Sequence, residues 1–208
     1  LHDALPISPF LRPDGTIEKF VCIRADITAR KQAEAAVERS HRLRNIVYIA
    51  GSKASYGTSV REIVAHCLEA FCSEAGWSIG HAYATGPDGE LVSMRLWHVA
   101  PSRNVSLVDT LPAPNDTAHA EFRTRSEETR FAAGVGLPGQ VLQSGQPMWI
   151  RDIRTDTNFP RASLCDSLNL RSAFAFPVTV GKRVEVVLEF FHANAVAPDH
   201  DLLQLGQS

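Results

Sequence analysis

The run Gly134-Val135-Gly136-Leu137-Pro138-Gly139-Gln140-Val141, continued by Ser144-Gly145-Gln146-Pro147-Met148-Trp149-Ile150-Arg151-Asp152, decides the reading of this chain. Its three glycines have the spacing of a dinucleotide-binding turn. That turn works only between a strand and a long crossover helix. Here a charged helical pattern, 117–131, leads in, and only Gln140 to Ser144 separates the glycines from the next breaker, Gly145-Gln146-Pro147. The glycines are therefore tight-turn positions, with Pro138 starting a short helix. Beyond them, Met148 to Ile153, Ser172 to Val180 and Val184 to Ala193 read as strands, the last two joined by the turn Gly181-Lys182.

Upstream, Val60, Ile63, Val64, Cys67, Leu68 and Phe71 trace one stripe of a helix that ends near Gly76. Trp77 to Thr85 and Leu91 to Ala100 read as two strands around Gly86-Pro87-Asp88-Gly89. A polar connection spans Pro101 to Asn115, and Asp201 to Leu205 opens a last helix. From Thr28 to Ala50, Ala29, Ala33, Ala36, Ser40, Leu43, Val47 and Ala50 recur at steps of four and three, the spacing of a coiled-coil seam. A parallel homodimer through this helix is expected, against the alternative of a solvated linker.

Nearer the start, Pro13-Asp14-Gly15-Thr16 is a hairpin turn signal, and Ile17 to Ala25 reads as a strand. Asp26-Ile27-Thr28 converts that strand into the linker helix, with Thr28 as its N-cap. Leu1 to Ile7 is set apart from the fold, since His2-Asp3-Ala4-Leu5-Pro6-Ile7 is what one frame of a common sequencing adapter (CAC GAC GCT CTT CCG ATC) encodes; the alternative is a natural loop with a Leu-Pro turn.

Composition is that of a soluble protein: 208 residues, 44% hydrophobic, net charge −2 and pI near 6.5. Nucleic acid is not an expected partner, and no run reaches the roughly 18 apolar residues of a membrane span. A cytoplasmic location is expected, with any membrane anchor upstream. The four cysteines form no Cys-x-x-Cys pair. Cys67 and Cys72 point to different faces of a helix, so no metal site is expected. His41 sits in Ser40-His41-Arg42-Leu43-Arg44, similar to a histidine-kinase phosphoacceptor box. Arg42 replaces the acid and Ile46 the proline that this chemistry needs, so His41 is not expected to be phosphorylated.

The glycine run, with Asn158-Phe159-Pro160-Arg161-Ala162, Leu170-Arg171-Ser172-Ala173-Phe174-Ala175-Phe176-Pro177-Val178 and Val187-Leu188-Glu189-Phe190-Phe191, is similar to a bacterial GAF domain over residues 43–208. Residues 8–28 resemble the C-terminal end of a PAS domain, whose last strand closes on Asp-Ile-Thr before a signalling helix at 29–50. The resemblance implies an α+β fold: an antiparallel sheet of five or six strands with helices on both faces, preceded by a hairpin remnant and a long linker helix. The entry and exit helices would share one face. A ligand cavity would lie between the other face and the central helices and loops.

That scheme makes Arg161, Trp149, Phe159, Leu164, Trp97 and Phe174 candidates for binding an unknown small molecule, and Asp26 and Thr28 the signal junction. Arg161 is the polar anchor, since a guanidinium grips a carboxylate or phosphate at two points. The alternative for Arg161 is an ion pair with Asp152, Asp156 or Asp166. No catalytic residue is expected. Bilin photoreceptors attach pigment to a Cys usually followed by His; here Asp166 follows Cys165, and that cysteine lies too close to Leu170. Cyclic GMP is not expected either, because the Asn-Lys...Phe...Asp-Glu signature has no counterpart. Reductases of free methionine sulfoxide cluster several cysteines, whereas the central loops carry only Cys165. The implied role is a sensory segment of a signalling protein, most simply a sensor histidine kinase, with a diguanylate cyclase or a purely structural spacer as alternatives.

Overall fold

The computed structural model describes residues 2–4, 8–21, 24–31, 33, 34, 37, 41, 59–100 and 117–205. The chain divides into two compact units, Leu1–Arg42 and Leu43–Ser208.

In the first unit, β2 (Ser8–Leu11) pairs antiparallel with β3 (Ile17–Val21), and β1 (His2–Ala4) pairs with β4 (Arg24–Asp26). The turn forms where Pro13-Asp14-Gly15 calls for it: Gly15 takes φ 80, and the Asp14 carboxylate accepts from the backbone N–H and hydroxyl of Thr16 at 2.9 and 2.6 Å. Residues 2–4, set aside from the sequence, have extended backbone and a ladder partner in the strand before the junction.

The junction also differs in detail. The Ile27 carbonyl accepts from the Lys31 N–H at 2.9 Å, so the helix begins one residue earlier than Thr28 predicts. The capping acceptor is the Asp26 carboxylate, which takes the Thr28 N–H at 2.9 Å and is held below its ordinary pKa by hydrogen bonds from Thr28. The described residues of 28–41 are helical. Of the predicted seam, Ala29 and Ala33 lie in this helix, while Ala36, Ser40, Leu43, Val47 and Ala50, with the connection 101–115, lie outside the described residues.

The second unit is a five-stranded antiparallel sheet in the order β6-β5-β9-β8-β7. Its strands are β5 (Ile79–Thr85), β6 (Leu91–Val99), β7 (Met148–Ile150), β8 (Ser172–Val180) and β9 (Arg183–His192). The helices are α1 (Val60–Ala75), α2 (Thr117–Glu128), α3 (Gly136–Ser144), α4 (Ala162–Ser167) and α5 (His200–Leu205). Helix α1 starts on a capping box, with the Ser59 side chain accepting from the Glu62 N–H and the Glu62 carboxylate accepting from the Ser59 N–H. It stops where Gly76 adopts the left-handed conformation, φ 79.

The strands bury both faces, and alternation sorts their side chains into two clusters. Gly80, Ala82, Phe174, Phe176, Val186, Leu188 and Phe190 meet Val64, Leu68 and Phe71 of α1 and Leu202 of α5. Entry and exit helices thus share one face. Phe71 stacks on Phe190 at 4.8 Å between ring centroids and lies 4.9 Å from Phe176. A Cβ at Gly80 would come within 3.1–3.2 Å of Phe190, Cys72 and Leu68, which is how closely α1 seats on the sheet. Ile79, Tyr83, Ala173, Ala175, Val187 and Phe191 face the other way, toward Phe122 of α2, Leu137 and Val141 of α3, and Cys165 of α4.

Candidate functional site

Glu189 lies in the central strand β9, between Leu188 and Phe190, with its side chain wholly removed from solvent. A carboxylate there must find a cation or lose its charge. The cation is Arg161, just before α4, whose Nη2 donates to Glu189 Oε1 at 2.6 Å. Its Nη1 donates to the Tyr83 hydroxyl at 3.1 Å and to the Ser126 hydroxyl at 2.9 Å. Four phenylalanine rings enclose the guanidinium, Phe131 at 5.0, Phe159 at 5.5, Phe191 at 5.7 and Phe122 at 5.8 Å from Cζ to centroid. The aspartates nearest in sequence are not its partners. Asp152, the first of them, folds back on Arg154 at 2.6 Å.

Burial alone would make Arg161 less basic, yet the facing carboxylate overcomes this and holds its pKa above the ordinary value. Burial pushes the Glu189 carboxyl up, and the guanidinium acts against it. Two buried atoms of the pair, Arg161 Nε and Glu189 Oε2, have no hydrogen-bond partner among the described residues. The pair is joined through one contact where the fork permits two.

His81 extends the polar cluster along β5. Its Nε2 lies 2.9 Å from the Ser93 hydroxyl, its ring stacks on Trp97 at 3.7 Å, and the edge of Tyr83 meets it at 4.4 Å. Burial, and then the positive charge of Arg161, drives its pKa well below the usual imidazole value, so the ring is neutral near pH 7. Trp97 is aimed there by a bulge in β6: the register against β5 shifts between His81 and Tyr83, and Arg95 takes φ 53. Its indole N–H donates to Glu127 at 2.8 Å, and Arg123 binds the same carboxylate oxygen at 3.0 Å.

The glycine run holds the rim of this face. Gly134 and Gly136 have φ 83 and 63, and a Cβ on Gly139 would strike the Ala132 carbonyl. The helix is longer than predicted, starting at Gly136. Asn158 staples the turn from outside: its Oδ1 accepts from the Gly136 N–H and its Nδ2 donates to the Gly134 carbonyl, both at 2.9 Å. The chain then passes through Phe159 and Pro160 to Arg161, so one short segment both pins the turn and delivers the guanidinium.

The six candidate binding residues do not share a site. Arg161, Phe159, Leu164 and Trp97 belong to the charged face. Trp149 and Phe174 point to the opposite face, where Trp149 packs 5.1 Å from both Trp77 and Phe174 and donates its indole N–H to the Val196 carbonyl at 3.0 Å. A strand exposes alternate residues to alternate faces, so Trp149 faces away from its neighbours Met148 and Ile150, which belong to the charged face. Glu189, Tyr83, Ser126 and His81 were not singled out from the sequence. The available signal was Glu189 itself, an acid inside the apolar run Val186 to Phe191.

The family model described as GAF domain matches residues 57–208. The chain belongs to the GAF domain family. No curated protein sequence is matched. Among solved structures, the nlh2 GAF domain of A. aeolicus in an inactive state is similar at TM-score 0.53 and 15% identity, covering 83% of this chain and 88% of that one. The free methionine-R-sulfoxide reductase of Neisseria meningitidis gives 0.57 and 16%, over 79% and 81%. The GAF domain of a Coxiella burnetii phosphoenolpyruvate-protein phosphotransferase gives 0.56 and 13%, over 82% and 89%. At such identities the likeness is one of fold: the five-stranded antiparallel sheet with its flanking helices is the GAF fold. GAF domains are typically sensory or regulatory modules of signalling proteins.

Among the described residues no group of His, Cys, Asp and Glu could hold a metal ion, and no helix is long and apolar enough to cross a membrane. Cys165 is fully buried in α4, and burial pushes its thiol up to about 12.

Proposed function

We propose that this chain is the sensory and transmission segment of a bacterial signal-transduction protein, of the sensor histidine kinase type. The charged face of the GAF sheet receives a small molecule, and the linker helix, paired in a parallel homodimer, couples it to an output domain. The observation that carries this reading is the buried cluster of Arg161, Glu189, Tyr83 and Ser126, drawn from four elements and enclosed by aromatic rings. Charges in such a place cost more than apolar packing would, which is reasonable where they recognise something. Glu189 lies on the strand that leads toward α5, so a ligand that re-pairs Arg161 acts on the exit side of the domain, biasing populations of two states. The junction at Asp26 and Thr28 serves the same transmission from the first unit. Cys165 carries no bilin in this reading, because a protonated, fully buried thiol is a poor nucleophile.

A thermal-shift screen of the 208-residue chain against a metabolite library tests the reading. At least one compound is expected to raise the melting temperature and to alter hydrogen exchange in α5. A library without a stabiliser overturns it in favour of a spacer module, the reading favoured by the internal pairing of Arg161. Dimerisation is tested separately. Leu43→Glu with Val47→Glu is expected to sediment as a monomer where the parent is a dimer, and a monomeric parent would remove the coiled-coil seam.

A further inference from the structure

We infer that the ligand of the charged face is a zwitterion, a free α-amino acid or a close analogue, whose carboxylate takes Arg161 and whose ammonium takes Glu189. This rests on the sensory reading above and narrows it.

The cluster is electrically balanced: one guanidinium faces one carboxylate at 2.6 Å, both out of water. A simple anion reaching Arg161 would have to displace Glu189 and leave it charged, buried and alone, the costly way to break such a pair. A simple cation reaching Glu189 would strand Arg161 in the same way. A molecule carrying both charges a few bonds apart strands neither, since each half of the pair exchanges one partner for another of the same sign.

The open valences match this exchange. Arg161 Nε is an unused donor on the guanidinium and Glu189 Oε2 an unused acceptor on the carboxylate, each buried with no partner among the described residues. A ligand carboxylate can bridge Nε and Nη2 in the two-point geometry that Glu189 leaves unfilled. A ligand ammonium can donate to Oε2 while lying against the faces of Phe131 and Phe191, which already border the guanidinium at 5.0 and 5.7 Å. The Tyr83 and Ser126 hydroxyls keep their hold on Nη1 throughout, so the arginine is positioned whether or not its partner changes. Neutral His81, with Nδ1 also unpartnered among the described residues, adds a hydrogen-bonding group and no charge to upset the balance.

The test is a thermal-shift panel on the full chain with the common α-amino acids, their N-acetyl derivatives, which keep only the negative charge, and their amides, which keep only the positive one. At least one free amino acid is expected to raise the melting temperature by about 5–10 °C at a roughly hundredfold excess over its Kd. Its N-acetyl and amide forms are expected to give no shift. In Glu189→Gln the order should invert, with the N-acetyl form binding and the free amino acid losing its advantage. Equal shifts from the N-acetyl and free forms in the wild type would overturn the proposal, and that comparison decides the matter even where Glu189→Gln fails to fold. A simple carboxylate or uncharged metabolite that stabilises the chain while no amino acid does would sink the zwitterion and leave the sensory reading standing. No shift from any compound would sink both.

Discussion

The two faces of the GAF sheet are built from the same strands and held by opposite means. Phe190 and Glu189 are neighbours in β9, both fully buried, and point in opposite directions. Phe190 enters a stack of rings with Phe71, Phe176 and Phe174, inside a cluster of buried apolar side chains. Glu189 enters a cage where its stability depends on one arginine arriving from a loop 28 positions away. The packed face holds no buried charge among its described residues, whereas the charged face pays desolvation for a pair that apolar residues of the same size could replace. That difference separates a face that holds the domain together from a face kept polar for another purpose.

The largest expected effect tests this directly. Phe190→Ala and Glu189→Ala should each cost about 3–5 kcal/mol in urea denaturation, the first through a cavity and the second through an uncompensated guanidinium. Rescue distinguishes them. Arg161→Met combined with Glu189→Leu should return to within about 1 kcal/mol of the wild type, or exceed it, while losing any ligand response. A double variant as unstable as Glu189→Ala would mean that the charged pair supports the fold and that the two faces do not differ in kind. Arg161→Ala alone is a poor probe of binding, since it strands Glu189 whatever the ligand does.

A smaller effect is expected at the rim. Asn158→Ala removes both hydrogen bonds that pin Gly134 and Gly136, a loss of about 1–3 kcal/mol. It should also loosen the segment that delivers Arg161, so hydrogen exchange should rise on the charged face and stay unchanged in α1. Equal exchange on both faces would show that the turn is not specific to the charged one.

What the sequence disclosed follows the same division. Strands β8 and β9, the Gly181-Lys182 turn, the Gly76 stop and the glycine turn were legible because each rests on local chemistry: alternation, a two-residue loop, a positive φ. The sides on which α1 and α5 pack came from the family resemblance. The pairing of Arg161 was not legible. Asp152, Asp156 and Asp166 are its neighbours in sequence, while its real partner lies 28 positions away on β9 and meets it only when the loop before α4 folds over the sheet. The face Trp149 packs on was not legible for a related reason: a three-residue strand carries too short an alternation to fix which way its middle residue points. The helix at Ala162–Ser167, inside a stretch read as loop, is a single short turn without a side-chain cap, so no residue announces it.

The smallest effect concerns His81, the imidazole of the charged cluster, set against Tyr83, Ser93, Trp97, Arg123 and Arg161. Its pKa is depressed in the folded state, whereas the unfolded chain takes a proton near the ordinary value of 6.5. Below that pH the unfolded state binds the extra proton, so stability is full above pH 6.5 and falls as the solution is acidified. Each pH unit below this point removes up to about 1.4 kcal/mol. Glu189 works in the opposite sense, because its raised pKa favours the folded state as it becomes protonated. The absolute pH curve therefore mixes the two, and only the difference between the wild type and His81→Gln isolates the imidazole. That difference should shrink by about 1 kcal/mol between pH 7.5 and pH 5.5, with the wild type losing ground. A difference constant across that range would mean that His81 takes its proton in the folded protein as it does in the unfolded chain, and the charged face would then carry a net positive charge below pH 6.5 in place of the balance the Arg161–Glu189 pair maintains.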